Sequence, residues 1–131
     1  MNPRWRAFSL QAGEHRDRAF GLSSLTLSKL DSVFKRHVSI DAVVIYGSRA
    51  KGSYKRGSDI DLTIKGTLLS FSELMQVEDE IDDLYLPYQV DLSQYETLEN
   101  TDLLEHINRV GVAIYSKKMN GFRKLNVAWN M

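Results

Sequence analysis

From Ser23 onward, apolar residues recur at three- and four-residue steps: Leu27, Leu30, Val33 and Phe34, with His37 following. That period predicts an amphipathic helix, with Ser23 or Ser24 placed to cap its first turn. The run AVVIY at 42–46 is β-branched and apolar almost throughout, which predicts a strand covered on both faces. SDIDLTIK at 58–65 alternates strictly, with Ile60, Leu62 and Ile64 against Asp59, Asp61 and Thr63. One face of that strand enters a core and the other carries the polar side chains. Helical spacing returns over 71–85 through Phe71, Leu74, Ile81 and Leu84, and Pro87 closes the segment. PYQVDLS at 87–93 predicts a third strand, Val90 and Leu92 alternating with Asp91. A helix is expected from about Leu98 to Arg109, with Gly111 as its stop signal. VAIYS at 112–116 predicts a fourth strand.

Helices alternating with strands predict an α/β domain built on a small mixed sheet of about four strands flanked by helices. Residues 1–20 follow neither period and are expected to form a weakly ordered extension, with the domain proper at 21–117 and a tail at 118–131. Trp5 and Trp129 fall in these two ends.

Composition narrows the function classes. A chain of 131 residues fits one domain. Its 17 Lys and Arg balance 17 Asp and Glu, so no global cationic field advertises nucleic acid as a partner. With no cysteine, disulfides, zinc-thiolate sites and a thiol nucleophile drop out together. No apolar run approaches the ~20 residues of a membrane span, and residues 1–20 lack the apolar stretch of a secretory signal. A cytoplasmic protein is expected.

Charge is nevertheless segregated along the chain. Residues 47–58 are basic, with Arg49, Lys51, Lys55 and Arg56, while 73–83 are acidic. The acidic run, Glu73, Glu78, Asp79, Glu80, Asp82 and Asp83, reads as a solvated helix face. His37 and His106 fall on predicted helices and His15 in the N-terminal extension, and none is expected to meet a carboxylate at metal-ligand spacing.

The chemistry concentrates in YGSRAKGSYKRGSDIDL, residues 46–62. Asp59 and Asp61 project from one face of a strand with Cα atoms ~6.5–7 Å apart. Two carboxylates so placed repel each other unless a cation sits between them. Hard oxygen donors without nearby histidine or cysteine suit Mg²⁺ rather than zinc. Asp91 has the same phase in the next predicted strand. If the two strands are neighbours, three carboxylates share one surface and can hold two Mg²⁺ ions ~3.5–4 Å apart, as phosphoryl displacement uses them. Gly47 and Ser48 follow the buried strand, where glycine lets the backbone turn and approach a phosphate. A P-loop is ruled out, because Ser53 stands after Gly52 where lysine is required.

Gly47-Ser48, ten intervening residues, Asp59-Ile60-Asp61 and the later Asp91 together resemble the nucleotidyltransferase superfamily related to DNA polymerase beta. Over roughly 21–117 the segments YGSRAKG, YQVDLS and HINRVGVAIY resemble its bacterial subgroup, the minimal nucleotidyltransferases. The resemblance implies the nucleotidyltransferase fold. It implies that Asp59 and Asp61 ligate both magnesium ions, and that Asp91 ligates one and helps activate the acceptor hydroxyl. It also implies that Gly47 and Ser48 hold the β- and γ-phosphates of an NTP, with Arg49 and Lys51, and Lys55 beyond them, available to neutralise charge.

The function so implied is transfer of a nucleoside monophosphate, AMP from ATP in the leading reading, with release of pyrophosphate. In the resembled subgroup the partner is a helical HEPN-type protein, and some pairs act as toxin and antitoxin, with AMP added to a partner tyrosine. The alternatives are a small-molecule acceptor such as an aminoglycoside, or a non-catalytic binding subunit. A homo- or hetero-oligomer is expected, because the domain leaves no further segment to bind an acceptor.

Overall fold

The computed structural model describes residues 18–118. The expectations placed on Trp5, His15 and Trp129 lie outside the described residues.

The described chain opens with a hairpin of β1 (Arg18–Ala19) and β2 (Leu22–Ser23), turning through Phe20 and Gly21 at φ 60° and 72°. Two consecutive positive φ angles give the turn whose twist matches the paired strands. The Phe20 side chain packs against the main core. Ser23 then caps α1 (Ser24–Phe34), its Oγ accepting the Thr26 N–H at 3.1 Å. That bond satisfies one of the amide donors a helix start leaves open. Thr26, Leu30, Val33 and Phe34 form the buried stripe.

β3 (Ile40–Tyr46), β4 (Ile60–Gly66), β5 (Val90–Gln94) and β6 (Val112–Ser116) make one mixed sheet in the order β5-β4-β3-β6. β3 runs antiparallel to both neighbours, and β4 and β5 run parallel. A parallel pair needs a crossover, supplied by α3 (Phe71–Asp82), which Ser70 caps through the Glu73 N–H. The β-branched run at 42–46 lies in an interior strand. Val43 and Ile45 enter the main core, while Val44 and Tyr46 face a second cluster.

The two faces are covered differently. On one, Val43, Ile45, Ile60, Leu62, Ile64, Val112 and Ile114 meet Leu30, Val33 and Phe34 of α1 and Val77 and Ile81 of α3. Each such fully buried aliphatic contributes roughly 1.5–3 kcal/mol of transfer free energy. On the other, α4 (Thr101–Val110) inserts Ile107 against Val44 and Tyr46. It covers β3, while on the β4–β5 side Thr63 is buried, Asp61 half-buried and Asp91 exposed. Asn100 caps α4 by accepting the Asp102 and Leu103 N–H groups, so the helix begins at Thr101, three residues inside the expected start at Leu98.

Gly111 does end α4, but with φ −65° rather than in the left-handed region. What demands glycine is proximity, since a Cβ there would lie 2.6 Å from Val44 Cγ1 and 2.5 Å from the Ile107 carbonyl. Among the described residues no helix is long and apolar enough to cross a membrane.

Candidate functional site

The alternation in β4 directs Ile60, Leu62 and Ile64 into the core and Asp61 and Thr63 to the opposite face. In the parallel β4–β5 pair Asp61 stands in register with Asp91, and in the antiparallel β3–β4 pair it stands opposite Tyr46. Tyr46, Asp61 and Asp91 thus form a row across three strands. The next row inward pairs Thr63 with Ser93, whose Oγ donates to Thr63 Oγ1 at 2.9 Å. Asp59 stands exposed just before β4. The adjacency of β4 and β5, left open by phase alone, holds.

The electrostatics mark this row as uncompensated. Burial raises the Asp61 pKa above its ordinary 3.8, and the charges of Asp91 and Asp59 push it further up, with the His106 imidazole pulling the other way. The Tyr46 phenol is also raised, first by burial and then by the Asp61 and Asp91 charges, against a hydrogen bond with Ser93. Among the described residues no three His, Asp or Glu side chains are already drawn together around a metal position. The donor set still fits a hard divalent cation. It is all oxygen, it is half-open to solvent, and its charges oppose one another until a cation arrives.

β3 ends at Tyr46, and the chain turns into α2 (Gly47–Lys51). The segment 47–58, expected only as a glycine-punctuated stretch, therefore begins with a short helix. Gly47 has φ 74°, and a Cβ there would run into the Asp61 carboxylate. Only glycine lets the backbone lie directly against that oxygen. The Gly47 N–H donates to His106 Nε2 at 3.1 Å, and the His106 ring stands edge-on to Tyr46 with centroids 6.1 Å apart. Ser48 follows in the first turn of α2, half-buried.

Arg49 departs from expectation. Its side chain is 3% exposed, and its guanidinium donates to the Ser58 carbonyl at 2.9 and 3.1 Å and to the Phe20 carbonyl at 2.9 Å. The group also lies over the rings of Tyr54 and Tyr88. Instead of facing a triphosphate, Arg49 ties the hairpin turn to the loop before β4. An arginine at the start of a short basic run gives no local sign of such long-range partners. Lys51 ends α2 exposed, and Lys55 and Arg56 are exposed in the loop beyond it.

Neither described histidine joins a group that could hold a metal, but both have partners in the fold. His37 is 5% exposed and bridges Glu73 Oε2 at 3.0 Å and Glu80 Oε1 at 2.8 Å. Burial lowers its pKa, but hydrogen bonds to Glu80 and Glu73 and their charges outweigh that and hold it above 6.5. The acidic helix is accordingly only partly a solvated face. Asp79, Asp82 and Asp83 are exposed, while Glu73 and Glu80 turn inward to His37. The Glu73 to Glu80 spacing of two helical turns was the available signal. His106 went unrecognised because its partner is a backbone amide, which no residue pattern records.

Residues 28–120 match the family described as Polymerase beta, Nucleotidyltransferase. Among curated proteins none matches. In fold the chain is similar to a structure of a toxin-antitoxin with AMP-PNP, at TM-score 0.57 and 16% identity over 79% of this chain and 85% of the other. It is similar to the toxin-antitoxin MntA-HepT at TM-score 0.55 and 14% identity, over 82% and 86%. It is also similar to a structure of tri-AMPylated Shewanella oneidensis HEPN toxin in complex with MNT antitoxin, at TM-score 0.54 and 14% identity, over 81% and 84%.

Proposed function

Since this chain belongs to the polymerase beta nucleotidyltransferase family, we propose that it transfers AMP from ATP to a hydroxyl of a HEPN-type protein partner. The observation carrying this reading is the Asp61–Asp91 register, with the Gly47 backbone lying against the Asp61 carboxylate. Carboxylates and a phosphate-approaching turn are thereby joined at one end of the sheet. The partner and the nucleotide are drawn from the similar structures, which contain AMP-PNP in one case and an AMPylated HEPN toxin in another. An antitoxin role follows from the same likeness.

In this reading Asp59, Asp61 and Asp91 would hold Mg²⁺, two ions in the full arrangement. When bound, the metal neutralises phosphate charge and polarises the oxygens of the reacting phosphoryl group. The Gly47 turn would bring the Ser48 backbone amide and hydroxyl to the β- and γ-phosphates as donors, the Gly47 N–H itself being held by His106. Lys51, exposed at the end of α2, adds positive charge toward the same phosphates, while Arg49 holds the loop that positions them. The acceptor oxygen bonds to the α-phosphorus as the bond from that phosphorus to the bridging oxygen breaks, and pyrophosphate leaves. The hydroxyl proton passes to the Asp91 carboxylate, which is exposed and so open to an acceptor. No protein nucleophile is required, because positioning and charge neutralisation supply most of the acceleration.

The test is direct. Purified protein, ATP, Mg²⁺ and a HEPN-type partner are incubated and the partner is weighed intact by mass spectrometry. One or more added AMP groups are expected, absent with Asp61→Asn. A partner left unmodified while the protein demonstrably binds ATP would sink the protein-acceptor reading.

A further inference from the structure

Beyond the carboxylates, one side chain reaches the catalytic turn from outside the sheet. His106 sits on α4, 59 residues from Gly47 in sequence, and accepts the Gly47 N–H through Nε2 at 3.1 Å. That residue is the one whose φ of 74° and missing Cβ allow the turn to lie against Asp61. The helix bearing His106 is itself fixed, because its next residue, Ile107, is fully buried against Val44 and Tyr46. The imidazole is held a second time by its edge-on contact with the Tyr46 ring. A rigid acceptor on a rigid helix therefore sets the direction of the Gly47 amide.

We infer that His106 is a positioning residue for the nucleotide site. Its Nε2 lone pair pins the Gly47 amide and so sets the Gly47-Ser48 turn against the Asp61 carboxylate. The role rests on the proposed reading of this turn as the triphosphate-binding element. A free glycine samples positive and negative φ about equally. Without a partner for its N–H, the turn would lose the conformation that brings the Gly47 backbone against the Asp61 carboxylate. With Nε2 accepting, the ring carries its proton on Nδ1. The requirement on residue 106 is then specific: an acceptor at the reach of Nε2. Glutamine can place its amide oxygen there, whereas leucine fills similar space without an acceptor.

Two arms test the pin. Tyr46-Gly47 is the only Tyr-Gly pair in the sequence, so carbonyl-¹³C tyrosine with ¹⁵N glycine isolates the Gly47 amide in a single resonance. In His106→Leu that amide proton should move upfield and exchange faster with solvent, and in His106→Gln it should stay near its native position. In the second arm, the KM for ATP in the Mg²⁺-dependent transfer should rise roughly three- to tenfold in His106→Leu. It should be largely restored in His106→Gln, with kcat changing less than KM in both.

A Gly47 resonance unmoved by His106→Leu would overturn the pin, as would equal losses in the leucine and glutamine variants, which is what packing alone predicts. Should the wild-type protein bind no ATP with Mg²⁺ present, the reading of the site falls, and the amide arm still decides the pin.

Discussion

Two clusters in this fold bring carboxylates near an imidazole, and they leave the charge in opposite conditions. Between α1 and α3, His37 meets Glu73 and Glu80 at 3.0 and 2.8 Å, and Arg36 joins Glu80 at 3.2 Å. Both ring nitrogens face a carboxylate, so the acids and bases of that cluster cancel inside the fold. Beside β4 and β5, Asp61 has Asp91 in register and Asp59 two residues away, while His106 is engaged with a backbone amide. There the negative charges face one another, and His106 offsets them only in part. The first cluster ties the end of α1 to α3, whereas the second leaves Asp61 with its pKa raised by burial and by like charges, the condition that the proposed cation would relieve.

Breaking the second cluster should give the largest effect on function. Asp61→Asn or Asp91→Asn should lower nucleotidyl transfer by at least about a thousandfold, since a lost metal-binding carboxylate removes several kcal/mol of transition-state stabilisation. Single-turnover rates of partner modification measure this. Activity within about tenfold of wild type in either variant would remove the carboxylate row from the chemistry. Gly47→Ala attacks the same site through the backbone. A Cβ at φ 74° runs into the Asp61 carboxylate, and the conformation alone costs about 1–2 kcal/mol for a residue with a side chain. Lower urea-unfolding stability together with weaker ATP binding is expected. An alanine variant matching wild type in both would mean that the close approach is dispensable.

Breaking the first cluster should cost stability and spare chemistry. His37→Leu leaves Glu73 and Glu80 facing apolar surface. Both carboxylates keep some solvent, so the loss should be about 1–3 kcal/mol, below that of a fully buried pair. Its pH dependence has a definite sign. The His37 pKa is raised, so its contribution is complete below 6.5 and fades as pH rises through the folded value. Burial raises the Glu80 pKa, but the bonds to His37 and Gln76 and the His37 and Arg36 charges bring it below 4.5, so its contribution fades as pH falls through that lowered value. The stability gap between wild type and His37→Leu should therefore be widest at pH about 4.5–6.5 and narrow on both sides. A gap that widens steadily above neutral pH would contradict the bridging role.

The two clusters also differ in how far the sequence disclosed them. Asp59, Asp61 and Asp91 could be found because strand alternation is local, and a face assignment follows from a few neighbouring residues. The Asp61–Asp91 register needed only that two strands be adjacent, which a short crossover helix makes the ordinary outcome. His37, Glu73 and Glu80 lie 36 and 43 residues apart in the bonds they make. Helical period places them on surfaces without saying which surfaces meet. Arg49 failed for the same reason, since its carbonyl partners belong to residues 20 and 58. Backbone acceptors carry no residue signature, so a buried arginine and a solvated one look alike in sequence. α2 was hidden by its two flanking glycines, which read locally as punctuation although they only bound a five-residue helix.

The smallest effect is the most discriminating, because it sets stability against function at one residue. The folded-state pKa of Asp61 is raised, first by burial and then by Asp91 and Asp59. The folded protein therefore holds that proton more tightly than the unfolded chain does. Ionised Asp61 costs stability above the folded pKa, and the cost vanishes below 3.8. Asp61→Asn should remove it, raising the Tm of the metal-free protein at neutral pH while leaving it unchanged near pH 3. Mg²⁺ should reverse the ranking. Binding to the folded wild type raises its Tm with ion concentration, whereas Asp61→Asn lacks a ligand and should respond weakly. Scanning calorimetry over a series of Mg²⁺ concentrations reads both quantities. Identical Mg²⁺ responses in the two proteins would show that the repulsion at Asp61 has no bearing on cation binding. The carboxylate row would then be strained for some reason other than a metal.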